Sequence, residues 1–214
     1  MNRIHRLLLG LSCVAVLTAN SHGDELPIDT SRFGNRSFGF YLGVSASHFT
    51  SASGTSWNSR YGPDLGSVLI INLTDLIALQ PELAYVSKGA KWEEQTFPDG
   101  RVFLSAGDIR LGYIQFAVLA RLNQPLSQYR DEHNFRPKLL AGFAFNTRVH
   151  TSARGIDPPD FQDTELSFIF GGGFDQLVAP GRSVTADVRF DVGLNKVNLD
   201  WKNNTVRFLL GMTL

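Results

Sequence analysis

Cysteine is almost missing from this 214-residue sequence, where Cys13 stands alone inside an apolar N-terminal run. One cysteine builds no internal disulfide, and a chain that loses its N-terminal run keeps no thiolate for a metal or a nucleophile. Long apolar stretches are missing too. None reaches the ~18–20 consecutive apolar residues that a membrane-spanning helix needs. Net charge is also absent: 20 Lys and Arg balance 20 Asp and Glu, so no basic field points to nucleic acid. No His, Asp and Glu grouping has metal-ligand spacing. The run "GGGFD", Gly171–Asp175, is not a phosphate loop because no helical pattern follows it. No cofactor or metal is therefore expected.

What is present begins with the N-terminus. "MNRIHR" supplies Arg3 and Arg6, and a 13-residue apolar run, "LLLGLSCVAVLTA", follows. Charge, short apolar core and small residues together predict a secretory signal peptide over 1–20, cleaved after Ala19 or Ser21. A lipidation signal would place leucine three positions ahead of Cys13, where Gly10 stands. Removing the two arginines leaves 18 basic against 20 acidic side chains, a net charge of about −2. Residues 21–36 read as a polar tail.

Eight alternating runs follow, punctuated by Gly, Pro, Asn and Asp: roughly 37–49, 63–73, 76–87, 107–122, 135–149, 164–178, 183–195 and 204–214. They predict an all-β fold over 37–214, an eight-stranded antiparallel up-and-down β-barrel. The connections differ in length. The second and sixth, "LTD" and "VAPGR", are tight, whereas the first, third, fifth and seventh are mostly long. That asymmetry is the habit of outer-membrane barrels, with short periplasmic turns and longer outer loops. The fourth, "NQPLSQYRDEHN", is longer than this pattern wants.

Alternation marks two faces without saying which is wet. In "SVTADVRFDVGLN", Val184, Ala186, Val188, Phe190, Val192 and Leu194 oppose Thr185, Asp187, Arg189, Asp191 and Gly193. In "FRPKLLAGFAFNTRV", Phe135, Leu139, Phe143 and Phe145 oppose Arg136, Lys138, Gly142 and Asn146. An eight-stranded barrel has room inside only for its own side chains, and several phenylalanines per strand would overfill it. Size therefore turns the Phe-rich faces to lipid and the glycine-and-charge faces inward. The alternative arrangement, a soluble periplasmic lipocalin-like carrier, needs those apolar faces inside around a ligand.

The lumen-facing set in this reading includes Glu82, Lys138, Glu165, Asp187, Arg189, Asp191 and Arg207, four acids and three bases that must satisfy one another. They are expected to plug the barrel. Gln80 shares their face, and Pro81, in "IALQPELAYVSKGAKW", calls for a bulge or a ladder position that needs no donor. Trp57, Trp92 and Trp201 fall in or beside the long connections, where an outer aromatic girdle sits.

The segments "LQPELAY" with "KGAK" (Leu79–Lys91), "LGYIQFAVLARL", "FRPKLLAGFAFNTRV", "FIFGGGFD" and "DVRFDVGL" resemble the PorT-like outer-membrane β-barrel family over roughly 37–214. Ala117 stands where that family often has proline, and Leu214 where its members commonly end in an aromatic. The resemblance implies an integral protein of a Gram-negative outer membrane, in contact with outer-membrane lipid and inserted by the barrel-assembly machinery. It would be monomeric, with a structural role or recognition of a protein or glycan through the outer loops. No catalytic activity is expected. One enzymatic alternative remains: His150, Ser152 and Glu165 have the residue types of an outer-membrane lipid A deacylase, with Ser as nucleophile, His as base and Glu as orienter. His150 shares the parity of Arg148, which would turn it to the lumen.

Overall fold

The computed structural model describes residues 36–51, 58–92, 95–96, 102–104, 107–124, 135–154, 161–179, 181–197 and 201–214. The signal segment, the polar tail and Trp57 lie outside them. Eight long strands close a barrel in the order β1-β10-β9-β8-β7-β6-β3-β2. These are β1 (Arg36–Ser51), β2 (Asn58–Asn72), β3 (Ile77–Trp92), β6 (Gly107–Asn123), β7 (Phe135–Arg154), β8 (Thr164–Ala179), β9 (Arg182–Gly193) and β10 (Trp201–Thr213). Two short strands, β4 (Gln95–Thr96) and β5 (Val102–Leu104), pair with each other inside the third connection, between β3 and β6.

All pairings are antiparallel, and first meets last over Gly39↔Thr213 to Ser51↔Trp201. Phe38 and Leu214 exchange backbone bonds of 3.2 and 2.7 Å beyond that ladder, so closure leaves no free edge to aggregate. Gly181, just ahead of β9, has a φ of 72°, where glycine is favoured.

Strand faces sort as barrel size demands. Phe40, Leu42, Leu83, Phe116, Phe143, Phe145, Phe208 and Leu210 are exposed on the outer wall, while Ser45, Gln80, Asn146, Asp187, Arg189 and Arg207 are buried inside. Outward aromatics meet in register: Phe143 faces Phe168 at 5.4 Å between ring centroids, and Phe170 stacks on Phe190 at 5.2 Å. The arrangement a soluble carrier needs, with these faces turned inward, is not adopted.

Three local irregularities carry physical meaning. Pro81 pairs with Val118 of β6, but the ladder to β2 skips from Val68↔Glu82 to Ile71↔Leu79. The missing N–H therefore falls in a ladder gap, with no slip of register. Between Ser59 and Asp64 the β2–β3 register does slip. In β7, Gly112 pairs with His150 while Tyr113 pairs with Arg148, so Val149 is an extra residue. Beyond that bulge the faces exchange.

Several strands run further outward than alternation predicts. β2 starts at Asn58, β3 reaches Trp92, β7 reaches Arg154 and β10 starts at Trp201. Above the apolar belt both faces can be polar, so the two-residue period fades while the hydrogen-bond ladder continues.

Candidate functional site in the barrel lumen

The inward side chains form layers. The half nearer the termini and the short turns holds a closed ring. Lys138 Nζ lies 2.8 Å from Asp175 Oδ1 and 2.9 Å from Asp187 Oδ1. Arg189 bonds Asp187 Oδ2 at 2.7 Å and grips both oxygens of Glu82 at 2.8 and 2.7 Å. Gln80 Nε2 donates to Glu82 Oε1 at 2.6 Å, Arg121 Nη1 donates to Gln80 Oε1 at 3.3 Å, and Arg121 closes the circle on Asp175. Three cations, three carboxylates and one amide bond one another from five strands. Charge-assisted bonds of this kind are the strong ones.

Glycine makes the ring possible. Lys138, Gly173 and Asp187 sit side by side across β7, β8 and β9. A Cβ on Gly173 would collide with the Ala186 carbonyl and the Asp187 carboxylate, so only a bare backbone lets Lys138 reach across to Asp187.

Tyr41 links this ring to the next layer. Its hydroxyl donates to Glu82 Oε2 at 3.2 Å and accepts from Arg207 Nη2 at 3.3 Å, and the Arg189 guanidinium lies 5.5 Å from its ring centroid. Arg207 holds Asp64 through two bonds, at 2.5 and 2.9 Å, and donates to Gln115 Oε1 at 2.6 Å. Gln115 Nε2 donates to Asn146 at 2.7 Å and to Asp191 Oδ2 at 3.0 Å. Lys88 Nζ, fully buried, sits between Glu165 Oε1 at 2.8 Å and Asp191 Oδ2 at 3.1 Å.

Above these charges the filling turns apolar. Phe49, Ala90, Ile109, Leu111, Tyr113, Phe161 and Val197 form one buried cluster, with Ala153 and Trp201 packed against it. Phe49 stacks on Trp201 at 5.5 Å, and Arg148, paired with Asp163 at 2.6 Å, lies over Phe161. Trp201 thus packs into the mouth of the barrel, not into a lipid-facing girdle. Trp92 extends the β3–β6 ladder opposite Gly107.

All seven lumen residues expected from sequence are buried inside. They fall into two ion-paired groups that Tyr41 joins. Glu82, Lys138, Asp187 and Arg189 belong to the ring, and Glu165, Asp191 and Arg207 belong to the outer layer. Four charged partners were missing from the expected set of seven: Asp64, Lys88, Arg121 and Asp175. Lys88 shares the parity of Gln80 and Glu82, and extending the expected run 76–87 by one residue finds it. Arg121 is harder to see, because inward β6 positions include Ala117 and Leu119 and blur the alternation.

The hydrolase constellation does not assemble. The Val149 bulge turns His150 and Ser152 to the exposed side, contrary to the expected lumenal His150. Glu165 is buried on the other side of the wall and committed to Lys88. Among the described residues no group of three or more His, Cys, Asp or Glu is placed to hold a metal.

A family model described as Outer membrane protein beta-barrel domain matches residues 21–198. The fold is similar to that of Neisserial surface protein A, at 15% identity, with 83% of this chain and 96% of that chain covered and a TM-score of 0.51. It is also similar to OprG from Pseudomonas aeruginosa, at 13% identity, with 86% and 98% covered and a TM-score of 0.54. At these identities the likeness concerns the fold alone. No curated protein matches the sequence.

Proposed function

Because this chain belongs to the family of outer membrane protein β-barrel domains, we propose that it is a PorT-like member whose lumen is packed shut and whose work is done by its outer end. In this reading it is a structural or recognition protein of the outer membrane and not a general diffusion pore. The observation that carries it is the closed ring from Arg121 through Asp175, Lys138, Asp187, Arg189, Glu82 and Gln80, which crosses the lumen with every member bonded to the next. The apolar cluster of Phe49, Ile109, Leu111 and Phe161 adds a second barrier above it.

In this reading no path runs through the middle, and the surfaces left for partners are the belt and the outer connections. The belt takes outer-membrane lipid, and the outer connections suit a protein or glycan. The chain then acts as a monomer, delivered by the signal segment 1–20 and inserted by the barrel-assembly machinery.

Planar-bilayer recording on the purified full-length protein tests the seal. The expected outcome is no steady current in the wild type. A stable ohmic conductance that persists at low voltage would sink the packed-lumen reading. Heat-modifiable gel mobility in the outer-membrane fraction is expected alongside, and recovery in the soluble periplasm would overturn the location of the protein itself.

A further inference from the structure

Six carboxylates are buried in the lumen among the described residues. Four have both oxygens on a cation: Asp64 on Arg207, Glu82 on Arg189, Asp175 on Lys138 and Arg121, and Asp187 on Lys138 and Arg189. Glu165 and Asp191 differ. They share the single ammonium of Lys88, each through one oxygen. The remaining oxygens, Glu165 Oε2 and Asp191 Oδ1, have no hydrogen-bond partner.

Other unpartnered atoms gather around the same place. The hydroxyls of Tyr113 and Thr205 and both amide atoms of Asn203 are buried without partners. Thr205 is the cross-strand neighbour of Asp191. Gly193, with no side chain, lets the Asn203 backbone come close to β9. Glu165, Asp191, Tyr113, Asn203 and Thr205 are each at most 3% exposed, so bulk water does not serve them. Buried polar atoms left over in one spot call for a specific explanation.

The charges facing the pair from each packed strand can be named. β3 offers Lys88 and β10 offers Arg207, which is already committed to Asp64, Gln115 and Tyr41. β6 contributes Tyr113 and Gln115, β7 contributes Asn146, and β8 contributes Ser167, all neutral. Direct contacts therefore bring two carboxylates against one cation, one positive charge short. Two carboxylates sharing a site do not ionise independently, and the second charge is the costly one.

We propose that Glu165 and Asp191 together hold one proton, so that the Lys88 site is a proton-binding site inside the barrel. The site is then neutral: one ammonium, one carboxylate and one carboxyl. The carboxyl O–H also turns an orphan acceptor into a donor, with Asn203 Oδ1, Thr205 Oγ1 and the Tyr113 oxygen available to accept. The ring below, with three cations on three carboxylates, has no such vacancy for a proton. Uptake and release of charge in the lumen is thereby confined to the outer layer, independently of whether the lumen conducts.

Infrared spectroscopy of the full-length protein in lipid vesicles at neutral pH tests this. A protonated carboxyl shows a carbonyl stretch that a carboxylate lacks, and the band shifts in D2O. The expected result is such a band in the wild type, its loss in Glu165→Gln or Asp191→Asn, and its retention in Glu82→Gln. No band in the wild type, or a band untouched by both substitutions at the pair, overturns the proposal. A melting temperature that rises when sodium replaces a bulky organic cation, with no such band, assigns the missing charge to a bound cation and also overturns it. If a variant fails to assemble, the wild-type spectrum carries the test: no band overturns the proposal, and a band that bleaches when the pH is raised supports it.

Discussion

The two halves of the barrel interior are filled by different means. Toward the termini, the ring around Arg189 is electrically balanced and every member is bonded on both sides. Toward the outer end, the Lys88 site sets two carboxylates against one ammonium and lies under an apolar lid of Phe49, Phe161 and Trp201. The comparison teaches that a narrow barrel can be closed either by charges that cancel or by apolar side chains that exclude water. Leftover polar atoms collect where one scheme gives way to the other. A closed ring of ion pairs also fixes one arrangement of its members, because any partial rearrangement leaves a buried charge alone.

The largest predicted effect comes from breaking the balanced half. Arg189→Ala strips Glu82 of its ion-pair partner and Asp187 of one of its two, and is expected to destabilise the barrel by about 3–5 kcal/mol, read as a lower denaturant midpoint for loss of heat-modifiable mobility. Replacing Glu82 and Arg189 together with leucine and methionine should recover much of that loss. Failure to recover would mean the ring is needed as a whole.

The apolar half is the next lever. Ile109→Ala leaves a cavity in the lid and should cost about 2–4 kcal/mol in the same unfolding measurement, while leaving the ring untouched. A smaller loss than that would show the lid to be loosely packed. Gly173→Ala tests the seam between strands: crowding the Asp187 carboxylate is expected to cost about 1–3 kcal/mol and to weaken the Lys138 bridge. The Asp187→Asn background should then show a smaller additional loss.

The smallest effect is expected at the outward pair. His150→Ala and Ser152→Ala lie on the exposed side of β7 and should each change stability by less than about 0.5 kcal/mol. Lipid A from cells carrying either variant should keep its acylation pattern. A change there would revive the hydrolase, despite the separation of Glu165 from both residues.

Much of this was legible beforehand where one physical rule acts alone. In β9 a strict alternation from Val184 to Gly193 placed Asp187, Arg189 and Asp191 on the inner face without error. The outward placement of Phe143, Phe170 and Phe190 followed from volume, since eight strands enclose too little space for them. The misreadings fall where a local irregularity resets the period. One bulge residue, Val149, reversed the facing of His150, and nothing in "RVHTS" announces it. Trp201 entered the mouth of the barrel because Phe49 and Phe161, distant in sequence, offered it a stacking surface.

By itself, then, the amino-acid sequence determined the number of barrel strands, the inner and outer face of each wherever no bulge resets the period, and the charged character of the lumen, because a two-residue period and side-chain volume are local properties. Which charge meets which was decided only in the tertiary structure. Arg189 finds Glu82 across 107 residues, and Arg207 finds Asp64 across 143. Those pairings depend on strand register, tilt and the height at which each side chain enters the lumen, and these are set only when β1 closes on β10.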